Sequence, residues 1–213
     1  MKEVVFDLET IADPECVKDL PPVTPDSRLK DPDKIKAQIQ EKQQKQIEDM
    51  GKIPSQNLIC CASFLDGSSQ KVTSFVLNPE TMDEAELLKQ AWELLWNYER
   101  FISFNGISFD VEVLKFHSML RRVPMPVQLN QKKYQIGNHL DLRMLLVNWD
   151  AHAHGRQDFF TRRLLGRGKP QDIDGSMVQH WWDCGGYQEI REYCEGDVKD
   201  IWDLYQVGKG YYW

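Results

Sequence analysis

The sequence lacks the features of a membrane-spanning or secreted protein. No run of 18 apolar residues occurs within its 213 residues, so we expect no transmembrane helix. The amino-terminal stretch MKEVVFDLET is acidic within seven residues and has no long apolar run after a basic start, which does not fit a signal peptide. We therefore expect a cytoplasmic protein.

Cysteine and histidine are too scarce and too scattered to predict a disulfide framework or a zinc site. The cysteines are odd in number, and no C-x-x-C or H-x-x-x-H spacing occurs. They stand at positions 16, 60, 61, 184 and 194. We interpret all five as reduced, small hydrophobic residues in a cytosol-like compartment.

The residue pattern favours one α/β domain over residues 1–213. Hydrophobic residues make up 41% of the chain, enough for a sizeable core, and no internal repeat occurs. A Pro-rich stretch and a polar helix interrupt the pattern at 13–56. The order of the remaining elements predicts a mixed sheet with helices on its faces.

The individual elements follow from apolar periodicity and turn residues. Thr81 and Glu84 have the spacing of a capping box at the start of the first long helix after the hairpin. We predict strands at 3–10 and 101–104, a hairpin at 57–77, long helices at 81–98, 109–121 and 187–208, and short helices within 139–149, 159–166 and 175–185.

Charge is distributed unevenly along the chain. The net charge of −7 by itself argues against nucleic acid as a partner, but residues 113–170 hold eleven Lys and Arg and only three acids. This basic middle carries +8, so the rest of the chain carries −15. The basic middle is either a phosphate-facing surface or a solvated face, and composition does not separate the two.

The strand-like segment FDLET places Asp7 and Glu9 on one face, because side chains alternate along a strand. Val5, Phe6 and Leu8 favour a central, buried strand, where neighbouring carboxylates repel each other and are costly to ionise. A divalent cation would neutralise such a pair. On a solvent-facing edge strand the same two acids would need no such partner.

Two further segments carry acids at positions that suit a site. Asn105-Gly106 ends a predicted strand, and Asp110 follows in the first helical turn, where an acid also complements the helix dipole. Tyr193 and Asp197 are four residues apart and share one helix face, which is also ordinary on a surface helix. A tyrosine hydroxyl at that position can orient a water beside the aspartate.

Together, these four acids predict a metal site. Carboxylate oxygens suit Mg²⁺ or Mn²⁺ rather than zinc. Four carboxylates can hold two such ions ~3.5–4 Å apart, the arrangement that clamps both oxygens of an in-line phosphoryl displacement.

The segments FDLET, FNGISFD and YCEGD, in this order, resemble the three motifs of the DEDD 3′→5′ exonuclease superfamily. The Tyr-x-x-x-Asp form of the last motif is typical of its tyrosine branch (DEDDy). The chain is similar to the stand-alone predicted exonucleases related to the exonuclease domain of family B DNA polymerases, and the similarity extends to 139–142 and 172–198. The resemblance implies a ribonuclease H-like α/β fold, with a mixed five-stranded sheet flanked by helices.

The resemblance also implies a role for each motif residue. Two divalent cations, Mg²⁺ or Mn²⁺, would be held by the four acids Asp7, Glu9, Asp110 and Asp197. Tyr193 would position the water that attacks the terminal phosphodiester. All five are therefore candidate catalytic residues.

Contacts with the substrate strand are implied for four residues beside the motif acids, namely Thr10, Ile11, Asn105 and Phe109. His139 and Asp141 lie in a matching segment but receive no role. The aromatic residues of the basic middle are either core residues or surfaces for base stacking. They include Tyr134, Trp149, Phe159 and Phe160.

The expected function is hydrolysis of the terminal phosphodiester of single-stranded DNA at its 3′ end, with release of nucleoside 5′-monophosphates. The expected partners are nucleic acid with a free 3′ end and, since no polymerase sequence follows Trp213, a replication or repair protein acting in trans. A 3′→5′ exoribonuclease is the alternative, because the motifs do not read the 2′-hydroxyl. A non-catalytic nucleic-acid-binding module on the same fold is a further alternative.

Overall fold

A five-stranded mixed sheet lies at the centre of the protein, in a computed structural model that describes residues 1–150, 152–168 and 174–213. The spatial order of the strands is β3-β2-β1-β4-β5. β1 pairs antiparallel with β2 and parallel with β4, β2 pairs antiparallel with β3, and β4 pairs parallel with β5. The strands are β1 (Glu3–Ala12), β2 (Asn57–Asp66), β3 (Val72–Val76), β4 (Arg100–Ser103) and β5 (His139–Asp141). The predicted mixed sheet of five strands is confirmed.

Helices cover both faces of this sheet. Val4, Phe6 and Leu8 of β1 pack into the cluster that contains the buried residues of the second and third helices, whereas Val5 packs against the last helix. The helices are α1 (Pro32–Met50), α2 (Glu84–Leu95), α3 (Asp110–Leu120), α4 (Leu142–Leu146), α5 (Gln157–Leu165), α6 (Met177–Asp183) and α7 (Tyr187–Gly208). Among the described residues, no helix is long and apolar enough to cross a membrane.

Two sequence-based expectations about elements were wrong. Residues 139–149 were expected to be helical, but His139–Asp141 form strand β5, because their backbone pairs with Phe101–Ser103 of β4, and only Leu142–Leu146 are helical. Thr81 does not cap α2. Asp83 is the N-cap, and its side chain accepts a hydrogen bond from the backbone N–H of Glu86.

The interruption at 13–56 lies beside the end of β1. It contains a 3-10 helix at Cys16–Asp19 and the polar helix α1, in which Met50 is the only buried residue. The Thr10 hydroxyl donates a hydrogen bond to the carbonyl of Gly51 at 2.6 Å, which joins the end of this segment to β1. α1 is therefore attached mainly through its carboxyl end.

Glu84 is buried in α2, and its carboxylate contacts partners on β2 and at the carboxyl end of α3. Its carboxylate accepts hydrogen bonds from the backbone N–H of Ile59 at 2.9 Å and from the Arg121 guanidinium at 2.8 Å, and it lies 2.8 Å from the His117 imidazole. Burial raises the pKa of Glu84, but the close His117 imidazole and the hydrogen bonds from Ile59 and Arg121 outweigh it, and the pKa lies below its ordinary value. The carboxylate therefore stays ionised and joins α2, β2 and α3.

Replacement of Glu84 by alanine is expected to destabilise the fold strongly. Glu84→Ala leaves the fully buried His117 and the partly buried Arg121 without their shared acceptor, and breaking a buried pair in this way costs about 3–5 kcal/mol. The matched control is Glu86→Ala on the exposed side of the same helix, which is expected to change stability by about 0.5 kcal/mol or less. The measurement is the free energy of unfolding in urea. Equal values for the two variants would contradict this interpretation.

Candidate functional site

The carboxylates of Asp7 and Glu9 lie together on one face of β1. β1 is the central strand of the sheet, so the edge-strand interpretation of these acids does not apply. One oxygen of each carboxylate and the Cys194 sulfur lie within 4.8 Å of one another, and Glu9 is 9% exposed. The pairing of β1 with β2 shifts register between Glu9 and Thr10, so an irregularity follows the second acid directly.

Asp110 is joined to the same strand by a hydrogen bond. Its Oδ1 accepts from the backbone N–H of Leu8 at 3.0 Å, across 102 residues of sequence. The side chain is 4% exposed. The pKa of Asp110 is raised to about 7, mainly by burial and to a smaller extent by the charges of Asp141 and Asp197, while backbone N–H hydrogen bonds oppose the rise. A nearby cation would favour the ionised form.

Asp141 holds the turn that precedes Asp110. Its carboxylate accepts hydrogen bonds from the backbone N–H groups of Asn105 and Ile107, each at 2.9 Å, and from that of Met144 at 3.2 Å as the N-cap of α4. Asn105 has a positive φ of 67°, which asparagine tolerates better than most residues. Asp141, which had no role assigned from sequence, is therefore a positioning residue for the turn.

Close packing against Ser103 explains the glycine in this turn. A Cβ at position 106 would lie 2.2 Å from the Ser103 hydroxyl oxygen. That oxygen lies 2.8 Å from Nε2 of His139, whose Nδ1 faces the Asn130 carbonyl at 3.2 Å. Burial lowers the pKa of His139 to about 4, so the imidazole is neutral near pH 7, with its proton on Nδ1 and its Nε2 accepting from Ser103. His139 therefore supports the turn through its contact with the Ser103 hydroxyl.

The third motif is carried by α7, with an unexpected partner from α5. Asp197 is 6% exposed, and the side-chain amide of Gln157 donates to its Oδ1 at 2.8 Å and to its backbone carbonyl at 3.2 Å. Burial, followed by the charges of Asp197, Glu9 and Asp7, raises the pKa of Tyr193 well above its ordinary value. The phenol is therefore protonated and lies within the electrostatic range of three motif acids.

Cys194 contributes to the site, although the sequence favoured a plain hydrophobic role. Its thiol is buried and lies 3.4 Å from the backbone carbonyl and 3.6 Å from Oδ2 of Asp7. Burial raises the pKa of the Cys194 thiol well above its ordinary value, and the neighbouring Cys61 and Asp7 add to the effect. Cys194 therefore acts as a hydrogen-bond donor that orients Asp7. Its position next to Tyr193 in the motif was the only sequence signal for this role.

The four predicted substrate contacts differ in accessibility. Ile11 is 1% exposed and packs in the core, so it is not on the surface in this structure. The Thr10 hydroxyl is bonded to Gly51, and Phe109 packs partly against the core at the start of α3. Asn105 is partly buried, and its side-chain oxygen lies 3.5 Å from the Arg143 guanidinium.

The basic middle is partly neutralised by acids. Arg162 pairs with Asp158, and Arg167 lies between Asp200 and Asp203. Lys169 and the first two residues of the matching segment 172–198 lie outside the described residues. Phe160 packs against the core, whereas Phe159 is 53% exposed and Tyr134 is 74% exposed.

Gly106→Ala is expected to destabilise the protein, because the new methyl group would displace the Ser103 hydroxyl from His139. Overpacking of this kind costs about 1–3 kcal/mol. Gly196→Ala is the control, since a Cβ there meets nothing within 4 Å and alanine in a helix gains about 0.5–1 kcal/mol. Denaturant unfolding measures both free energies. A Gly106→Ala protein as stable as the wild type would show that the turn relaxes freely.

A protein family and a solved structure are similar to this chain. The family described as "Predicted 3'-5' exonuclease related to the exonuclease domain of PolB" matches residues 52–208. A structure of the family B DNA polymerase from the hyperthermophilic archaeon Pyrobaculum calidifontis is similar with a TM-score of 0.64 and 13% identity. The match covers 98% of this chain and 24% of the polymerase chain. No curated protein sequence matches.

At this identity the polymerase match shows the fold alone, and it confirms the expected ribonuclease H-like architecture. Divalent metal dependence is general in exonucleases of this kind. Because the family model covers more than half of the sequence, the chain belongs to the family of predicted 3′–5′ exonucleases related to the exonuclease domain of family B DNA polymerases.

Proposed function

We propose that the protein is a two-metal-dependent 3′→5′ exonuclease that hydrolyses the terminal phosphodiester of single-stranded DNA and releases nucleoside 5′-monophosphates. The observation that carries this proposal is the hydrogen bond from Leu8 to Asp110, which joins the strand of Asp7 and Glu9 to the helix of Asp110. The family match supports the same reaction.

The donor set fits hard divalent cations. Asp7, Glu9, Asp110 and Asp197 offer carboxylate oxygens, the ligands that Mg²⁺ and Mn²⁺ prefer. The Cys194 thiol donates a hydrogen bond to Asp7 in the metal-free protein. When bound, two such ions supply an activated water and stabilise charge on the phosphate.

Tyr193 acts in the proposed reaction as a neutral hydrogen-bonding group. Burial and the charges of Asp197, Glu9 and Asp7 raise its pKa, so the phenol is protonated near pH 7 in the metal-free protein. The hydroxyl lies near position 175, since a Cβ on Gly175 would be 4.0 Å from its oxygen, and the ring lies 5.7 Å from that of Trp181. The Tyr193 ring is thus held against Trp181, and the neutral hydroxyl orients the attacking water through a hydrogen bond.

The nuclease assay uses an oligodeoxynucleotide labelled at its 5′ end, with Mg²⁺ or Mn²⁺. We expect the labelled strand to become shorter by one nucleotide at a time. Each step releases one nucleoside 5′-monophosphate. Asp7→Asn is expected to lower the rate by more than about 100-fold. Loss of an outer-shell partner of a metal ligand lowers activity by about 10–100-fold, and loss of a ligand is expected to cost more. Glu93→Gln, at an exposed acid of α2, is the control and is expected to leave the rate unchanged.

Two results of this assay would change the conclusion. Undiminished hydrolysis by Asp7→Asn, or an intact substrate with wild-type protein, would refute the proposed activity. Faster digestion of an RNA of matched sequence would assign the protein to the alternative, a 3′→5′ exoribonuclease. Metal binding without hydrolysis of either strand would favour the non-catalytic module.

Gln157 is expected to tune the metal affinity through Asp197. Gln157→Leu removes the donor to Asp197 Oδ1, and loss of a partner behind a ligand costs about 10–100-fold in metal affinity. Titration of free Mn²⁺ followed by electron paramagnetic resonance measures this affinity without turnover. Gln188→Leu removes a similar amide–carboxylate bond, to Glu192, and is expected to leave the affinity unchanged. Equal affinities in the two variants would exclude this role.

A further inference from the structure

A pair of aromatic rings, of which Tyr134 is exposed and Trp149 is half-buried, lies within the basic middle. The Tyr134 and Trp149 ring centroids are 5.5 Å apart, with an interplanar angle of 48°, and Tyr134 is 74% exposed. Both residues have a φ of 63°. A positive φ is uncommon for bulky residues, and strained residues of this kind cluster at functional sites.

Tyr134 is held beside the turn that precedes Asp110. It lies in a loop closed by the hydrogen bond from the Asn130 backbone N–H to the Asn138 side chain at 3.0 Å. Within this loop the Gln131 amide donates to the Ile107 carbonyl at 3.3 Å. Three residues of chain span at most about 10 Å, so Tyr134 lies within that distance of Gln131.

Trp149 is tied to the same turn from the other side. Its backbone N–H donates to the Met144 carbonyl at 2.7 Å, which places it directly after α4. The N-cap of α4 is Asp141, which binds the backbone of Asn105 and Ile107. Both aromatic residues are therefore anchored to the turn between β4 and Asp110.

Two lysines next to Tyr134 supply positive charge. Lys132 and Lys133 are exposed and form no ion pair with any described residue, unlike Arg162 and Arg167. Single-stranded nucleic acid is bound by positive charge along its backbone together with aromatic rings that stack on its bases. The loop offers both within three consecutive positions.

We propose that Tyr134 and Trp149, with Lys132 and Lys133, form a platform that stacks a base of single-stranded DNA upstream of the terminal nucleotide. This inference rests on the proposed function, which also supplies the choice of DNA. In this proposal, the platform holds the incoming strand while the 3′ end of that strand lies at the motif acids. The exposed ring of Tyr134 contacts the base, and Trp149 supports that ring from behind.

The test measures binding of a fluorescein-labelled oligodeoxynucleotide in EDTA, where no metal-dependent hydrolysis occurs. Tyr134→Ala is expected to weaken binding about 5- to 150-fold, the range for loss of one stacked base, whereas Tyr134→Phe keeps the wild-type affinity. Tyr211→Ala, at an exposed aromatic residue near the carboxyl end, is the control and is expected to bind like the wild type. A melting temperature for each variant shows that its fold is intact.

Several outcomes would overturn the platform. These are wild-type affinity in Tyr134→Ala, no measurable binding by the wild type, equal affinity for a blunt duplex, or tighter binding of a matched RNA. Failure of the platform and failure of the proposed function give different results. Weakened binding by Tyr134→Ala, together with no hydrolysis in Mg²⁺, would refute the nuclease and retain the platform. Normal hydrolysis with unchanged binding would refute the platform alone.

Discussion

The hydrogen bond between the Leu8 backbone N–H and the Asp110 carboxylate is the contact on which the site depends. β4 pairs with β1 only as far as Val5, and it ends at Ser103. The chain then leaves the sheet. The Asp110 side chain accepts a hydrogen bond from a backbone N–H of β1 at a position that does not pair with β4. The motif acids of β1 and α3 are joined because the two parallel strands end at different levels.

Close placement of acids in a poorly exposed region has an electrostatic consequence. Asp110 and Asp197 are 4% and 6% exposed, and the charge of Asp197 is among the causes that raise the pKa of Asp110. Such an arrangement is costly when all members are ionised, and bound cations relieve it. Side-chain donors reduce the cost as well, since Gln157 and Cys194 donate to Asp197 and Asp7. The protein thus positions two of its acids with neutral hydrogen-bond donors.

Sequence patterns predicted the long, periodic elements and the motif acids, but not the groups that support them. The alternation of FDLET predicted one shared face for Asp7 and Glu9, because strand geometry is local. β5 was missed, because three residues cannot show a period and its identity comes from pairing with β4. The role of Glu84 was missed for a similar reason. Its partners lie on β2 and α3, and no local rule reveals them.

The sequence by itself determined which residue types carry the chemistry, their order along the chain and the family to which the chain belongs. These depend on local spacing and on motif identity. Only the tertiary structure decided that Ile11 is a core residue, that Asp141 and His139 hold the turn before Asp110, and that Tyr134 meets Trp149. The physical reason is that each of these facts is a contact between distant segments, and such contacts are set by how the sheet and its helices pack together.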